Sequence, residues 1–204
     1  MDCHNCHNCN SPNNSSPWWQ RWRPTPTASQ MESSGDRIAL VGMPNVGKSV
    51  LFNALTGVYV TVSNYPGTTV EVSRGVARIG GRILTVIDTP GMYSLMPVSE
   101  EERVARDLLL SEPLVSVIHV VDAKNIGRML PMTFQLLEAG LPVILAINMM
   151  DEARRLGLAV NVEVLSEELG IKVMPMAAAL NQGVEELRRA IGQCVPVPSE
   201  AIAV

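Results

Sequence analysis

The chain has 204 residues, 47% of them hydrophobic and 18% charged, with a formal net charge of −4, which suits one well-buried domain plus a tail. Asp2 against Arg21 and Arg23 leaves residues 1–30 at +1 and the remainder at −5, and an acidic body lacks the basic footprint that broad nucleic-acid binding requires. The longest apolar runs, 114–121 and 141–150, are too short to span a bilayer, and a body holding only Cys194 of the four cysteines excludes a disulfide-built fold and fits a reducing cytoplasm.

Residues 1–35 are dominated by Asn, Ser, Pro and Thr, lack periodicity and hold all three tryptophans, Trp18, Trp19 and Trp22. Such a composition predicts a disordered tail, with Met31 as the natural initiator. Cys3, Cys6 and Cys9 with His4 and His7 are soft-metal ligand types, but no second cysteine pair completes a finger spacing, so the unstructured reading is preferred. The folded domain is expected over 36–195, with a second short tail over 196–204.

From Arg37 onward strands and helices alternate. The apolar run Ile38–Val41 reads as a buried strand and Val50–Leu55 as the first turns of a helix stopped by Gly57. Between them stands Gly42-Met-Pro44-Asn45-Val46-Gly47-Lys48-Ser49, a complete G-x-x-x-x-G-K-S phosphate-binding loop. Its glycines let successive N–H groups face a polyphosphate, and the helix N-terminus adds positive dipole. Lys48 is the residue to reach the outer phosphates, and the Ser49 hydroxyl is suited to a magnesium ion. Strands at 70–79 and 82–88 flank the hairpin signal Gly80-Gly81. A helix at 100–110, a buried strand at 114–122 and a helix from about Met129 to Ala139 follow. Pro131 is tolerable only near that helix's first turn. A strand at 143–148, a short helix from Asp151, a helix at 162–169, a strand at 171–176 and a helix at 184–191 complete the pattern. The implied fold is α/β: a mostly parallel six-stranded sheet covered by helices on both faces, with ligands at the carboxyl ends of the strands.

Two further motifs fall at those ends. Asp88-Thr89-Pro90-Gly91 closes a strand; Asp88 can hold magnesium through water and the Gly91 N–H can meet a γ-phosphate, where the bland alternative is a Pro-Gly turn. Asn148-Met149-Met150-Asp151 closes another. An Asp carboxylate there can accept both the N1–H and the exocyclic amine of guanine, donors that adenine lacks, although Asp151 also suits a helix N-cap. Together the three motifs resemble those of the translation-factor-like GTPases.

Between the first two motifs, Asn64–Glu71 occupies the place of a first switch, with Thr69 in register with the magnesium-binding threonine and Thr68 suited to a strand start. The loop at 175–183 matches S-A-x-x-x-x-G with Ala177 in the serine position, leaving the Ala178 N–H for the guanine carbonyl oxygen. Further strings narrow the likeness: Asp88-Thr-Pro-Gly-Met92-Tyr93-Ser94-Leu95, the run Ser99–Asp107, and Asn148-Met-Met-Asp-Glu152-Ala153. Over about 37–195 the chain resembles the N-terminal G domain of ferrous iron transport protein B.

That resemblance implies a cytoplasmic GTPase domain which, in a full-length protein, is joined to a helical domain and a membrane-embedded iron permease, with self-association left open. It also implies a potassium ion held by Asn45 and by backbone carbonyls near Ser63 and Tyr65. Met92 stands where many small GTPases keep a water-orienting glutamine, so hydrolysis is expected to be slow and to rest on Lys48, Asn45, Thr69 and Gly91. The competing readings are a GTP sensor with little turnover and a ribosome-assembly GTPase, the latter disfavoured by the acidic body. His119 and Cys194 are expected to be packing residues rather than iron ligands.

Overall fold

The structure, a computed structural model, describes residues 36–57 and 60–194. The tail at 1–35, with its Cys/His run, and residues 196–204 lie outside the described residues. Seven strands, β1 (Arg37–Val41), β2 (Val60–Asn64), β3 (Glu71–Ile79), β4 (Arg82–Asp88), β5 (Leu114–Asp122), β6 (Val143–Asn148) and β7 (Lys172–Pro175), form one sheet in the order β2-β3-β4-β1-β5-β6-β7. The β2–β3 and β3–β4 pairs are antiparallel and the other four pairs parallel. The helices are α1 (Lys48–Leu55), α2 (Glu100–Ser111), α3 (Ile126–Glu138), α4 (Met150–Arg155), α5 (Val162–Leu169) and α6 (Val184–Cys194).

Burial explains why the central strands are almost wholly apolar. Ile38 and Leu40 of β1 pack with Leu51, Phe52 and Leu55 of α1 and with Leu187 and Ile191 of α6 on one face. Ala39 and Val41, pointing the other way, pack with Ala105 and Leu109 of α2 and with Met132 and Leu136 of α3. A strand covered on both faces has no polar side to show, so alternation disappears from its sequence.

Three expectations need correction. The sheet has seven strands rather than six. The extra one, β2, is exposed along its whole length and pairs only with β3. An edge strand of this kind carries little of the burial pattern by which strands are read. Helix α3 begins at Ile126, so Pro131 sits inside it rather than in its first turn. The carbonyl that this proline leaves without a donor belongs to Gly127, whose lack of a side chain leaves open space there. Helix α4 begins at Met150, with Met149 as its N-cap at φ 61°, which places Asp151 in the first turn instead of at the cap.

Candidate functional site

The loop joining β1 to α1 is shaped by its two glycines. Gly42 has φ +147° and a Cβ there would lie 2.3 Å from the Val120 carbonyl oxygen; Gly47 has φ +91° and a Cβ would lie 2.3 Å from Asn148 Nδ2. Neither position admits a side chain. Asn45 takes φ 64° between them, a conformation asparagine tolerates better than most residues. Pro44 and Asn45 are exposed at the rim, Val46 is buried, and Val50 is half exposed on the first turn of α1.

At the mouth of this loop Lys48 is 8% exposed and its Nζ donates to the Met43 carbonyl at 3.2 Å. Burial pushes the Lys48 ammonium down from its ordinary value, against the opposing pull of the Asp88 carboxylate. Asp88, at the end of β4, is pushed up by burial and held back by Lys48 and the Ser49 hydroxyl. Ser49 Oγ donates to Asp88 Oδ2 at 3.2 Å, while Asp88 Oδ1 is buried with no hydrogen-bond partner. Such an orphaned carboxylate oxygen is a costly arrangement that a cation would relieve.

The segment after Asp88 is folded back onto the phosphate loop. Thr89 Oγ1 donates to the Leu40 carbonyl at 2.8 Å and the Met92 N–H to the Gly42 carbonyl at 3.1 Å. A Cβ on Gly91 would lie 2.7 Å from Pro44 Cγ, so the two motifs touch there. The Gly91 N–H makes no hydrogen bond among the described residues. Met92 is fully buried against the β1 face, so nothing at that position reaches an attacking water. Thr69 lines a cleft of about 550 Å³ with Pro90 and Gly91. Thr68 is committed elsewhere, its hydroxyl donating to the Tyr65 carbonyl and accepting from the Val70 N–H. Thr69 is therefore the threonine left for a ligand.

Sequence reasoning did not single out Glu102. Its Oε2 accepts the N–H groups of Val98 (2.8 Å) and Ser99 (3.3 Å), and its Oε1 that of Tyr93 (3.2 Å). The Val98 N–H, with those of Tyr93 and Ser99, holds its carboxyl below the usual range despite burial. One side chain thus anchors the loop following Gly91. The spacing Ser99-x-x-Glu102 was the available signal, since the two form a capping box at the start of α2.

The third motif organises the opposite wall. Asn148, 4% exposed at the end of β6, donates from Nδ2 to the Val46 carbonyl and accepts at Oδ1 from the Ala178 N–H, each at 2.9 Å. Met149 is half-buried, and Asp151 stands beside it with Arg155 Nη2 3.5 Å from Oδ2. The Ala178 N–H, expected to meet the guanine carbonyl oxygen, donates to Asn148 Oδ1 in this arrangement. Ala177 is likewise engaged, exchanging two 3.1 Å backbone bonds with Gln182. The next amide, Ala179, has no partner among the described residues and is exposed.

Ser63 and Tyr65 are placed by β2 and the turn after it. Ser63 is paired opposite Val72, and the Tyr65 carbonyl accepts from both the N–H and the hydroxyl of Thr68, each at 3.0 Å. His119 and Cys194 are packing residues: His119 is 1% exposed with Nδ1 3.0 Å from Thr133 Oγ1, and Cys194 lies half-buried against the core. No group of three His, Cys, Asp or Glu side chains suited to a metal occurs among the described residues.

A phosphate loop against a mostly parallel sheet, with a second loop folded onto it and a third wall tied to it through Asn148, is the fold of a phosphate-loop NTPase of the small G-protein class. The chain belongs to the ferrous iron transport protein B family, whose model matches residues 36–191. It is 36% identical over 165 residues to the Fe(2+) transporter FeoB of Synechocystis, covering 81% of this chain and 27% of that protein. It is 43% identical over 152 residues to the Fe(2+) transport protein A/Fe(2+) transporter FeoB fusion protein of Porphyromonas gingivalis, covering 74% and 18% respectively. Among solved structures it resembles the cytosolic domain of T. maritima FeoB in a GDP form, with TM-score 0.74, 41% identity and coverage of 77% and 62%. The FeoB G domain of Methanococcus jannaschii matches with TM-score 0.68 and 42% identity, covering 78% of this chain and 96% of that one. The chain thus spans about a quarter or less of the curated relatives it matches, but nearly all of an isolated G domain.

Proposed function

We propose that this chain binds GTP and hydrolyses it to GDP and phosphate, as the regulatory G domain of a ferrous iron transporter. The observation that carries the reading is Asn148, whose amide ties the phosphate loop at Val46 to the 178–180 turn. Asp151 follows Asn148 by three residues and Ala179 follows Ala178 by one, so both stand beside the two ends of that tie. A guanine would give its N1–H and exocyclic amine to Asp151 and accept from Ala179 at its carbonyl oxygen. Adenine would leave these groups unpaired. Relatives support the same reading, since a T. maritima structure is described in a GMPPNP form and an S. thermophilus one as bound to GDP.

The residues fit magnesium: Ser49 and Asp88, with its orphaned Oδ1, would hold the ion, and Thr69 would join them from the first switch. Bound there, magnesium would neutralise charge on the outer phosphates. Lys48 does the same from the protein side, and the Gly91 N–H donates to the γ-phosphate. Water attacks the γ-phosphorus as its bond to the bridging oxygen of GDP breaks, and the water's protons pass to phosphate and solvent. With Met92 buried, no side chain at that position orients the water, which favours slow turnover and keeps the sensor reading alive.

Potassium is a narrower matter. Asn45 is exposed at the loop rim and suits a cation near the β- and γ-phosphates. Tyr65, whose carbonyl already accepts twice from Thr68, does not fit one in this arrangement. Asn45, with the Ser63 carbonyl on the edge strand, carries the potassium reading.

The membrane permease, the helical domain and a cytoplasmic position are likewise proposals from family membership. No helix among the described residues is long and apolar enough to cross a membrane. Fluorescent-nucleotide titration with GTP against ATP, followed by phosphate release with magnesium and with a chelator, tests the reading. GTP-selective binding with magnesium-dependent release is expected. Equal affinity for ATP would overturn the guanine assignment, and binding without release would leave the sensor.

A further inference from the structure

Asn148, which ties the base wall to the phosphate loop, ends β6, whereas Asp151, proposed to read the base, sits in the first turn of α4. Between them the chain passes through Met149 in a left-handed conformation, and α4 is only 6 residues long. Something must hold the carboxylate in register with the amide.

The turn after β5 supplies it. Asp122 is the direct ladder partner of Asn148. Its Oδ1 accepts from the Lys124 N–H at 2.9 Å and its Oδ2 from Asn125 Nδ2 at 3.0 Å, which fixes the turn. From there the Lys124 side chain reaches across to α4, where Nζ donates to Glu152 Oε2, and it remains 3.8 Å from Asp122 Oδ2. One ammonium therefore joins the neighbour of Asn148 to the neighbour of Asp151. The charges around it are Asp122, Asp151 and Glu152, and all three favour its protonated form, Glu152 most strongly. By pairing with Glu152, Lys124 also offsets a negative charge beside the Asp151 carboxylate that must accept two donors.

We propose that Lys124 is a positioning residue for guanine recognition, holding α4 so that Asp151 meets both donors of the base. The proposal rests on the guanine reading given above. The pair is partly exposed, with side chains 26% and 45% accessible, so its effect is expected as a modest bias in geometry rather than as a large stabilisation.

Inosine triphosphate separates this role from a structural one, because it keeps N1–H and lacks the exocyclic amine. In the parent, GTP should bind more tightly than ITP. In Lys124→Ala the GTP affinity should fall by about fivefold while ITP falls less, so that the GTP/ITP ratio shrinks. Lys124→Arg should restore the ratio, and Glu152→Gln should mimic the loss. Unchanged GTP/ITP ratios in Lys124→Ala, or equal losses for both nucleotides, would overturn the proposal. A parent that does not prefer GTP over ATP would instead overturn the guanine reading beneath it, so the two failures are distinguishable.

Discussion

Asn148 Nδ2 donates a 2.9 Å hydrogen bond to the Val46 carbonyl, joining two residues 102 positions apart in sequence. The bond is buried, and it passes so close to Gly47 that no side chain could stand there. Phosphate loop and base wall are thereby one rigid unit, so damage to this amide should be felt at both.

Asn148→Ala should leave the Val46 carbonyl and the Ala178 N–H unpaired in the interior. Each such group costs roughly 1–3 kcal/mol, so a clear drop in the urea midpoint is expected, together with weakened GTP binding. If stability and affinity are both retained, the bridge is not what holds the two walls.

Asp151→Asn replaces an acceptor of two hydrogen bonds by a group that accepts at one atom and donates at the other. The variant should lose GTP affinity by about a hundredfold or more, while its folding midpoint changes little because Asp151 is only partly buried. Undiminished GTP affinity in a direct titration would refute the assignment.

His119 is buried beside Thr133, and burial, reinforced by the Lys48 charge, lowers its pKa from 6.5 to about 3. Between those two values the unfolded imidazole takes up a proton that the folded one refuses. The unfolded state then binds more protons, so stability falls as pH drops from about 6.5 toward 3. Urea midpoints of the parent and of His119→Gln measured across that range should converge toward low pH, since the amide does not titrate. A constant difference between them would rule out this histidine as a source of acid sensitivity.

Asn45 stands at the loop rim with φ 64°. If it helps hold a monovalent cation, GTP turnover should be faster in potassium than in sodium, and Asn45→Ala should abolish that difference. Equal rates for both proteins in both salts would sink the cation role.

The local chemistry was legible along the chain. Thr69, and not Thr68, is open to a ligand, and Met92 carries no polar group toward the site. What remained hidden was mostly relational. β2 was missed because an exposed edge strand has no buried face to impress a pattern on it. That the Ala178 N–H is engaged while the Ala179 N–H is open was not legible, because it depends on which N–H Asn148 has taken. Lys124 went unassigned because its partner Glu152 is brought near only by folding, whereas Glu102 had a local signal in the Ser99-x-x-Glu102 capping box.

By itself the sequence determined the phosphate loop, the alternation of strands and helices, and the residue types at the strand ends, since these follow from local backbone freedom and periodic burial. Only the tertiary structure decided that, among the described residues at the site, Asp88 Oδ1, the Gly91 N–H and the Ala179 N–H remain unpaired. Hydrogen-bond capacity is shared among groups from distant parts of the chain, so what is left over for a ligand becomes defined only after every internal pairing has been made.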